Sequence, residues 1–504
     1  DSRQQTADSR QQTADSRQQT ADSRQQTAGY KLTKFITNSK LSFFLFFFPL
    51  TANAISVATA KTIKGNAPVF IANSIENNFG FTVRGTFYSK QLNNIPISFD
   101  KNLTLNDFII QPLTVANLNL SSSNNYYDED GDNGRVSDNG TFTIGTVNFK
   151  WFDNAGQEIA KSQYGKPIGC GSGFPMPLKL AITLSDIQVH SEYGDPKDSE
   201  LYNLTKIYQI NTDSEICFAK PNQMIVDNKK TWGSPYHFTK NGKTDCSLVG
   251  YNDLDSSIID NNRGDKGWNE PGTEYRDSLC GGGYDHNVFD PINGFYASAN
   301  PKFPTTGFAG AKFQLIMTGA QTDWNYSVNA TPQNSVTVDQ NGMVVLNNKP
   351  NGTVTISATF KPDPTIVHTY SFNPTKTWVF PQPGHAVSYE QAVRICHGEN
   401  NLPTRAEMTN SPNASPSWRI WPLTWDLFTR AINQGLLSEW GSTHSGTYPN
   451  SNWRFDDHLW FYSSDEFPLT NQYPGHSNRY AIDAWIGQIA VFGAQQPIQV
   501  VCKG

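Results

Sequence analysis

Charge is scarce in this chain. Only 17% of its 504 residues are Asp, Glu, Lys or Arg, and the balance is −6. No basic patch is present, so there is no electrostatic footprint for nucleic acid. Long apolar runs are also lacking. The one hydrophobic stretch, residues 41–50, is well short of the ~20 residues that span a bilayer. There is no His-Glu-x-x-His, no Gly-x-Ser-x-Gly, and the nine histidines are scattered. Those absences argue against the common metalloprotease and serine-hydrolase chemistries. The paired carboxylates of a glycosidase leave no sequence signature, so that alternative stays open. Long 3.6-period segments are missing from the first 300 residues, which points away from a helical bundle.

What is present starts with punctuation. Asp-Ser-Arg-Gln-Gln-Thr-Ala occurs four times from Asp1 to Ala28. Ala is its only apolar residue, so it cannot form a coiled-coil seam and reads as low-complexity, disordered chain. A seven-nucleotide unit, GACAGCA, read in triplets returns this heptapeptide every three copies. Slippage by one copy would shift the downstream frame, so the repeat is expected to be a phase-variation switch rather than a functional peptide. Asp1 is not a Met, which places the expected start upstream. Residues 29–54 then read as a secretory signal peptide. Lys31, Lys34 and Lys40 precede the apolar run, and Ala52-Asn53-Ala54 is the cleavage site. The mature chain from Ile55 is expected outside the cytoplasm, at the bacterial surface or secreted, without a transmembrane segment of its own.

The six cysteines all follow the signal peptide, and export permits three disulfides. Cys170–Cys217 and Cys246–Cys280 are favoured because they close the shortest loops. Cys396 and Cys502 sit at the two ends of one compact C-terminal segment. A catalytic role for Cys170 or Cys280 is the weaker alternative.

The fold class is mainly β. Residues 55–300 read as one or two β domains. Alternation runs through residues 79–88, 141–144, 147–151 and 178–184, broken by Gly, Asn, Asp and Pro. Asp128, Asp130 and Asp132 supply oxygens at alternate positions beside Gly131 and Gly134, the pattern Ca²⁺ requires. The twelfth position would be Asn139 where an EF-hand needs Glu, so a solvated acidic loop is the alternative. Ca²⁺ is the only cofactor the sequence suggests. Residues 301–375 carry short strands without cysteine, including a hairpin turning at Asn341-Gly342, and read as an immunoglobulin-like sandwich.

Residues 376–504 differ. Eight of the twelve tryptophans lie between Trp378 and Lys503. Ser388 and Gln391 form a capping box before a short amphipathic helix ending at Cys396. A second helix is expected from Asp426, with Leu427, Phe428, Ala431 and Ile432 on one face and Gly435 stopping it. A buried strand, residues 498–503, closes the chain. The receptor-contact candidates are Trp440, Trp453, Arg454, Asp456, Asp457, Trp460 and Trp485, because aromatics mixed with Arg and Asp suit an interface. The alternative places these aromatics in the core, with residues 453–460 as a strand of alternating faces.

Three resemblances follow from these residues. Val338-Asp339-Gln340-Asn341-Gly342 with Gly352-Thr353-Val354-Thr355-Ile356-Ser357-Ala358 resembles the bacterial Ig-like repeat, a spacer in surface adhesins. Cys396, Gly398, Leu402, Pro403, Trp440, Gly441, Val501, Cys502 and Lys503 resemble the C-type-lectin-like fold, in which a disulfide from first helix to last strand staples the domain. Tandem β-sandwiches ending in an α+β lectin-like module resemble the invasin and intimin adhesins. That implies adhesion to a receptor on a host or neighbouring cell, with no catalysis. Two departures matter. The Glu-Pro-Asn or Gln-Pro-Asp and Trp-Asn-Asp motifs of Ca²⁺-dependent lectins are missing, Gln496-Pro497 being followed by Ile498. The outer-membrane barrel of the family has no counterpart. A secreted glycan hydrolase and a structural surface-layer or filament protein are the competing functions.

Overall fold

The computed structural model describes residues 65–72, 75–90, 95–136, 140–224, 236–240, 243–247, 282–412, 428–453, 460–467, 478–485 and 487–504. The repeat, the signal sequence, Cys280 and residues 454–459 therefore lie outside the described residues.

The N-terminal β domain is built on one long hairpin. Leu178–Val189 pairs antiparallel with Tyr202–Thr212, and every second residue of the first strand, Leu178 to Leu184, is fully buried. Val147–Phe152 and Phe142–Thr143 add to one side, and Ile97–Phe99 joins Tyr202–Thr212 in parallel on the other. The core collects Phe79, Phe81, Phe108, Trp151 and Tyr208 and draws only on residues 70–210. The run 79–88 is not one strand. Phe81–Val83 and Thr86–Tyr88 form a hairpin whose two loop residues, Arg84 (φ 47°) and Gly85 (φ 81°), are both left-handed. Such a turn matches the strand twist, and its glycine is the signal that alternation concealed.

Three residues separate this domain from the next. Ile216–Pro221 begins the sandwich by pairing with Ala311–Met317, which pairs in turn with Met343–Leu346. Gly294–Tyr296 flanks Ile216–Pro221 on the other side. This sheet crosses the boundary expected at residue 301, because strands 216–221 and 289–296 belong to it. The facing sheet is Trp324–Asn329, Val354–Phe360 and Val367–Phe372. The Val336–Leu346 hairpin forms as its sequence predicts. Asp339 Oδ1 accepts the amides of Asn341 and Met343, each at 2.8 Å, and Gly342 takes φ 75°. The chain is mainly β, with a sandwich followed by an α+β module.

That module forms a mixed sheet in the order 306–308, 377–387, 498–503, 460–466, 478–483, 489–493. The expected helix after Asp426 is not found in its described part. Residues 428–435 are non-helical, and a short helix, Leu436–Trp440, starts after Gly435. Gly435 (φ 119°) is thus its N-cap, not its stop, while Gly441 (φ 74°) ends it. Phe428, Ala431 and Ile432 are buried as their apolar spacing required, but by an irregular segment. No described helix is long and apolar enough to cross a membrane.

Candidate receptor-binding module

The helix Tyr389–Ile395 starts at a capping box. Ser388 N–H donates to Gln391 Oε1 at 3.0 Å, and Gln391 N–H donates back to Ser388 Oγ. Its buried face carries Ala392 and Cys396 onto Tyr462, Phe492, Val500 and Cys502. Cys396 and Cys502 are disulfide-bonded across a sequence separation of 106, so first helix and last strand are tied. Cys170 and Cys217 are bonded as well. Cys246 lies in the strand Lys243–Ser247, and its expected partner lies outside the described residues.

The module shares its core with the sandwich. Phe303, Phe308 and Phe313 meet Trp440, Tyr448 and Trp453, with ring centroids 4.9 Å apart for Phe303–Trp440 and 5.1 Å for Phe308–Tyr448. Trp440 is 0% and Trp453 3% exposed. These two tryptophans are core residues, correcting the expectation that they face a receptor. The physical reason is their neighbours, since two domains meet where they sit. Trp440 Nε1 also donates to the Thr306 carbonyl at 3.1 Å.

Two buried charged side chains, Glu439 and Arg430, lie at this junction. The Glu439 carboxylate accepts from the amides of Thr305, Thr306 and Asn433 and from both threonine hydroxyls, at 2.7–3.1 Å. Burial pushes its carboxyl up, and the donors pull it back. Arg430, also buried, donates to the Gln223 and Glu439 carbonyls at 3.0 Å and lies over the Phe289 and Phe295 rings. Burial lowers its guanidinium to about 10.

The remaining candidates divide by position. Trp460 is half-buried against Phe492, and Trp485 is half-buried at the edge of the shared core. Arg454, Asp456 and Asp457 lie outside the described residues. The structure adds a set of part-buried cation–aromatic and ion-pair contacts that the sequence did not reveal. Arg479 stacks on Tyr389 at 4.1 Å and pairs with Glu399 at 3.1 Å. Arg405 stacks on Tyr480 at 3.9 Å beside Asp465. Lys503 pairs with Glu407 at 2.8 Å. Burial works to raise the Glu407 carboxyl, yet Lys503 and Thr404 hold it below the usual range. Each partner of these pairs comes from a different element, so no local spacing announces them.

The carboxylates of the acidic loop take separate partners. Asp128 turns inward, its Oδ1 accepting the amides of Asp130 at 2.9 Å and Asp132 at 3.4 Å. The Asp130 carboxylate accepts the Asn66 amide. Among the described residues, the one set of three such ligand atoms within 4.8 Å of each other is Cys170, Glu215 and Cys217, whose sulfurs are already joined.

Comparison with known proteins finds one family model that matches a segment of the chain. Residues 287–372 match the model of invasin, domain 4. This segment is similar to domain 4 of invasin. It covers the sandwich on which the C-terminal module rests, apart from strand 216–221. Among solved structures, bacterial invasin, titled an integrin-binding protein, is 16% identical over 72% of this chain and 58% of its own, with a TM-score of 0.32. An intimin mutant of EHEC O157:H7 is 19% identical over 43% of this chain and 93% of its own, TM-score 0.26. A 282-residue intimin fragment, solved with the intimin-binding domain of the translocated intimin receptor, is 12% identical over 72% of this chain and 100% of its own, TM-score 0.28. The chain spans 58% of the length of the solved invasin chain. These superpositions are partial, and the invasin-like assignment of 287–372 is independent of them. No curated protein sequence matches the chain.

Proposed function

We propose that this protein is an extracellular bacterial adhesin that binds a receptor on a host or neighbouring cell through its C-terminal, lectin-like module. The observation that carries the reading is the fusion of that module to an invasin-like domain through one continuous core. A receptor-binding tip must transmit pull to its stalk, and a shared apolar core with a disulfide-tied tip does so. Contact is assigned to Trp460, Trp485, Arg405 and Arg479, with the adjoining Arg454, Asp456 and Asp457. Arg and aromatic side chains dominate interface energetics. Without the Ca²⁺ motifs of sugar-binding lectins, recognition is independent of Ca²⁺. The heptapeptide repeat makes expression phase-variable, and export follows from residues 29–54. We read the chain as non-catalytic.

The test is saturable binding of the purified chain to cultured epithelial cells, with and without EDTA. Removing residues 376–504 would strip the sandwich of half its core, so point variants are the sounder probe. Arg405→Ala with Arg479→Ala, and separately Arg454→Ala with Asp456→Ala and Asp457→Ala, are expected to weaken binding at least about tenfold, the range of interface hot spots. Full affinity in both would move the site elsewhere. EDTA sensitivity would direct attention to Asp128, Asp130 and Asp132. Self-association without cell binding would favour a filament protein, and turnover of a bound glycan a hydrolase.

A further inference from the structure

We infer that the Cys170–Cys217 disulfide is a redox-sensitive brace across the joint between the N-terminal domain and the sandwich, and that residues 213–215 become a hinge when it is opened. Among the described residues, the two domains share no hydrophobic core. One is assembled from residues 70–210 and the other begins at Ala219. Cys170 belongs to the first domain, and Cys217 to the first strand of the second. Apart from Met176, which lies close to Gly319, the contacts that cross the joint are largely polar. Lys101 pairs with Glu215, Ser214 Oγ is 2.9 Å from His368 Nε2, and the Gly319 amide donates to the Gly169 carbonyl at 3.2 Å. Domains joined by small polar interfaces move relative to one another by default.

The space around the linker fits that view. A cavity of about 240 Å³ is lined by Asn211 and Met176 of the N-terminal domain and by Trp324 and Phe360 of the sandwich. Another of about 260 Å³ is lined by Lys101, Glu215, Cys217, Lys302 and His368. A joint bordered by two clefts has room to bend, and the disulfide is the covalent element opposing it. Cys217 lines the second cleft, but both cysteines are buried, so an external dithiol reaches the bridge when the joint opens there. Its two thiols supply two electrons and two protons, the S–S bond breaks into two cysteine thiols, and the dithiol closes to its cyclic disulfide.

The experiment compares the full chain with Cys170→Ser/Cys217→Ser by small-angle X-ray scattering and calorimetry. The expected result is a longer, broader distance distribution in the variant, retained unfolding transitions for both domains, and about tenfold faster proteolysis between 212 and 216, where opening controls access. An unchanged distance distribution would overturn the proposal, because the polar contacts alone would then fix the angle. Loss of the N-terminal transition would also overturn it, making the disulfide an internal staple. Alkylation of the wild-type chain in native buffer with dithiothreitol provides a readout that needs no variant. Cys170 and Cys217 are expected to label before Cys396 and Cys502, with the same broadening of the scattering. Labelling of all four together, on global unfolding, would refute the brace.

Discussion

The molecule has two joints made in opposite ways. Between sandwich and C-terminal module, Phe303, Phe308, Trp440, Tyr448 and Trp453 pack as one core, into which the Glu439 carboxylate and the Trp440 indole are drawn with partners. Between N-terminal domain and sandwich no core is shared among the described residues, two clefts remain open, and a disulfide spans the gap. Rigidity in the first comes from area removed from water. In the second it comes from one covalent link and a few hydrogen bonds. The difference matches the division of labour proposed above, in which the tip must not move on the domain that carries it.

The largest expected effect lies in the dry joint. Trp440→Ala removes a fully buried indole from a core shared by two domains, and should cost about 3–5 kcal/mol. Denaturant unfolding should show sandwich and module losing stability together. Separate transitions, with the sandwich unaffected, would break the claim of a common core. Next comes Glu439→Gln. Either amide orientation turns an NH₂ against a backbone N–H of Thr305, Thr306 or Asn433, at a cost of about 2–4 kcal/mol. A neutral result would mean that those donors have other acceptors.

Much of this contrast was hidden in the sequence because it depends on partners far apart in the chain. Local signals were faithful. Ser388 and Gln391 form their capping box, Asn341-Gly342 turns its hairpin, and the cysteine pairs 170–217 and 396–502 close. Failures came where a residue type carries two meanings. Gly435 reads as a helix stop or as an N-cap, and only the packing of Leu436 and Leu437 decides. Tryptophan reads as core or interface, and Trp440 and Trp453 proved core while Trp460 stayed half-exposed. Strand 216–221 could not be assigned to the sandwich from sequence, since its partner 311–317 lies far along the chain. The Arg479–Glu399 and Arg405–Asp465 pairs were illegible for the same reason.

A smaller effect sharpens the dry joint's geometry. Gly310 has φ 88°, and a Cβ there would lie 2.7 Å from the backbone of Asn450. Sandwich and module touch main chain to main chain at this point, so Gly310→Ala should cost about 1–3 kcal/mol through strain and displacement. Gly85→Ala has a similar φ but meets nothing within 4 Å. It should cost about 1 kcal/mol, from the backbone conformation alone. If the two substitutions cost the same, the Gly310 approach contributes nothing.

The smallest effect concerns pH, and it distinguishes the joints by an acid in each. Burial raises the carboxyl of Asp323, which lines the open cleft and has Lys361 opposing the shift. Burial raises Glu439 as well, against more donors. A raised folded pKa means that the folded state binds the proton more tightly than the unfolded chain does. The contribution is thus fully present below the unfolded value, 3.8 for Asp323, and is lost as pH rises through the folded value. Asp323→Asn removes that dependence, so wild type should lose stability relative to the variant as pH climbs from below 3.8 through the raised pKa. Thermal melts across that acidic window measure it. Because Asp323 borders a water-accessible cleft, added salt should shrink the difference, whereas the enclosed Glu439 site should respond little. Equal salt sensitivity at the two positions would mean that the second joint is as dry as the first, and the contrast between them would fail.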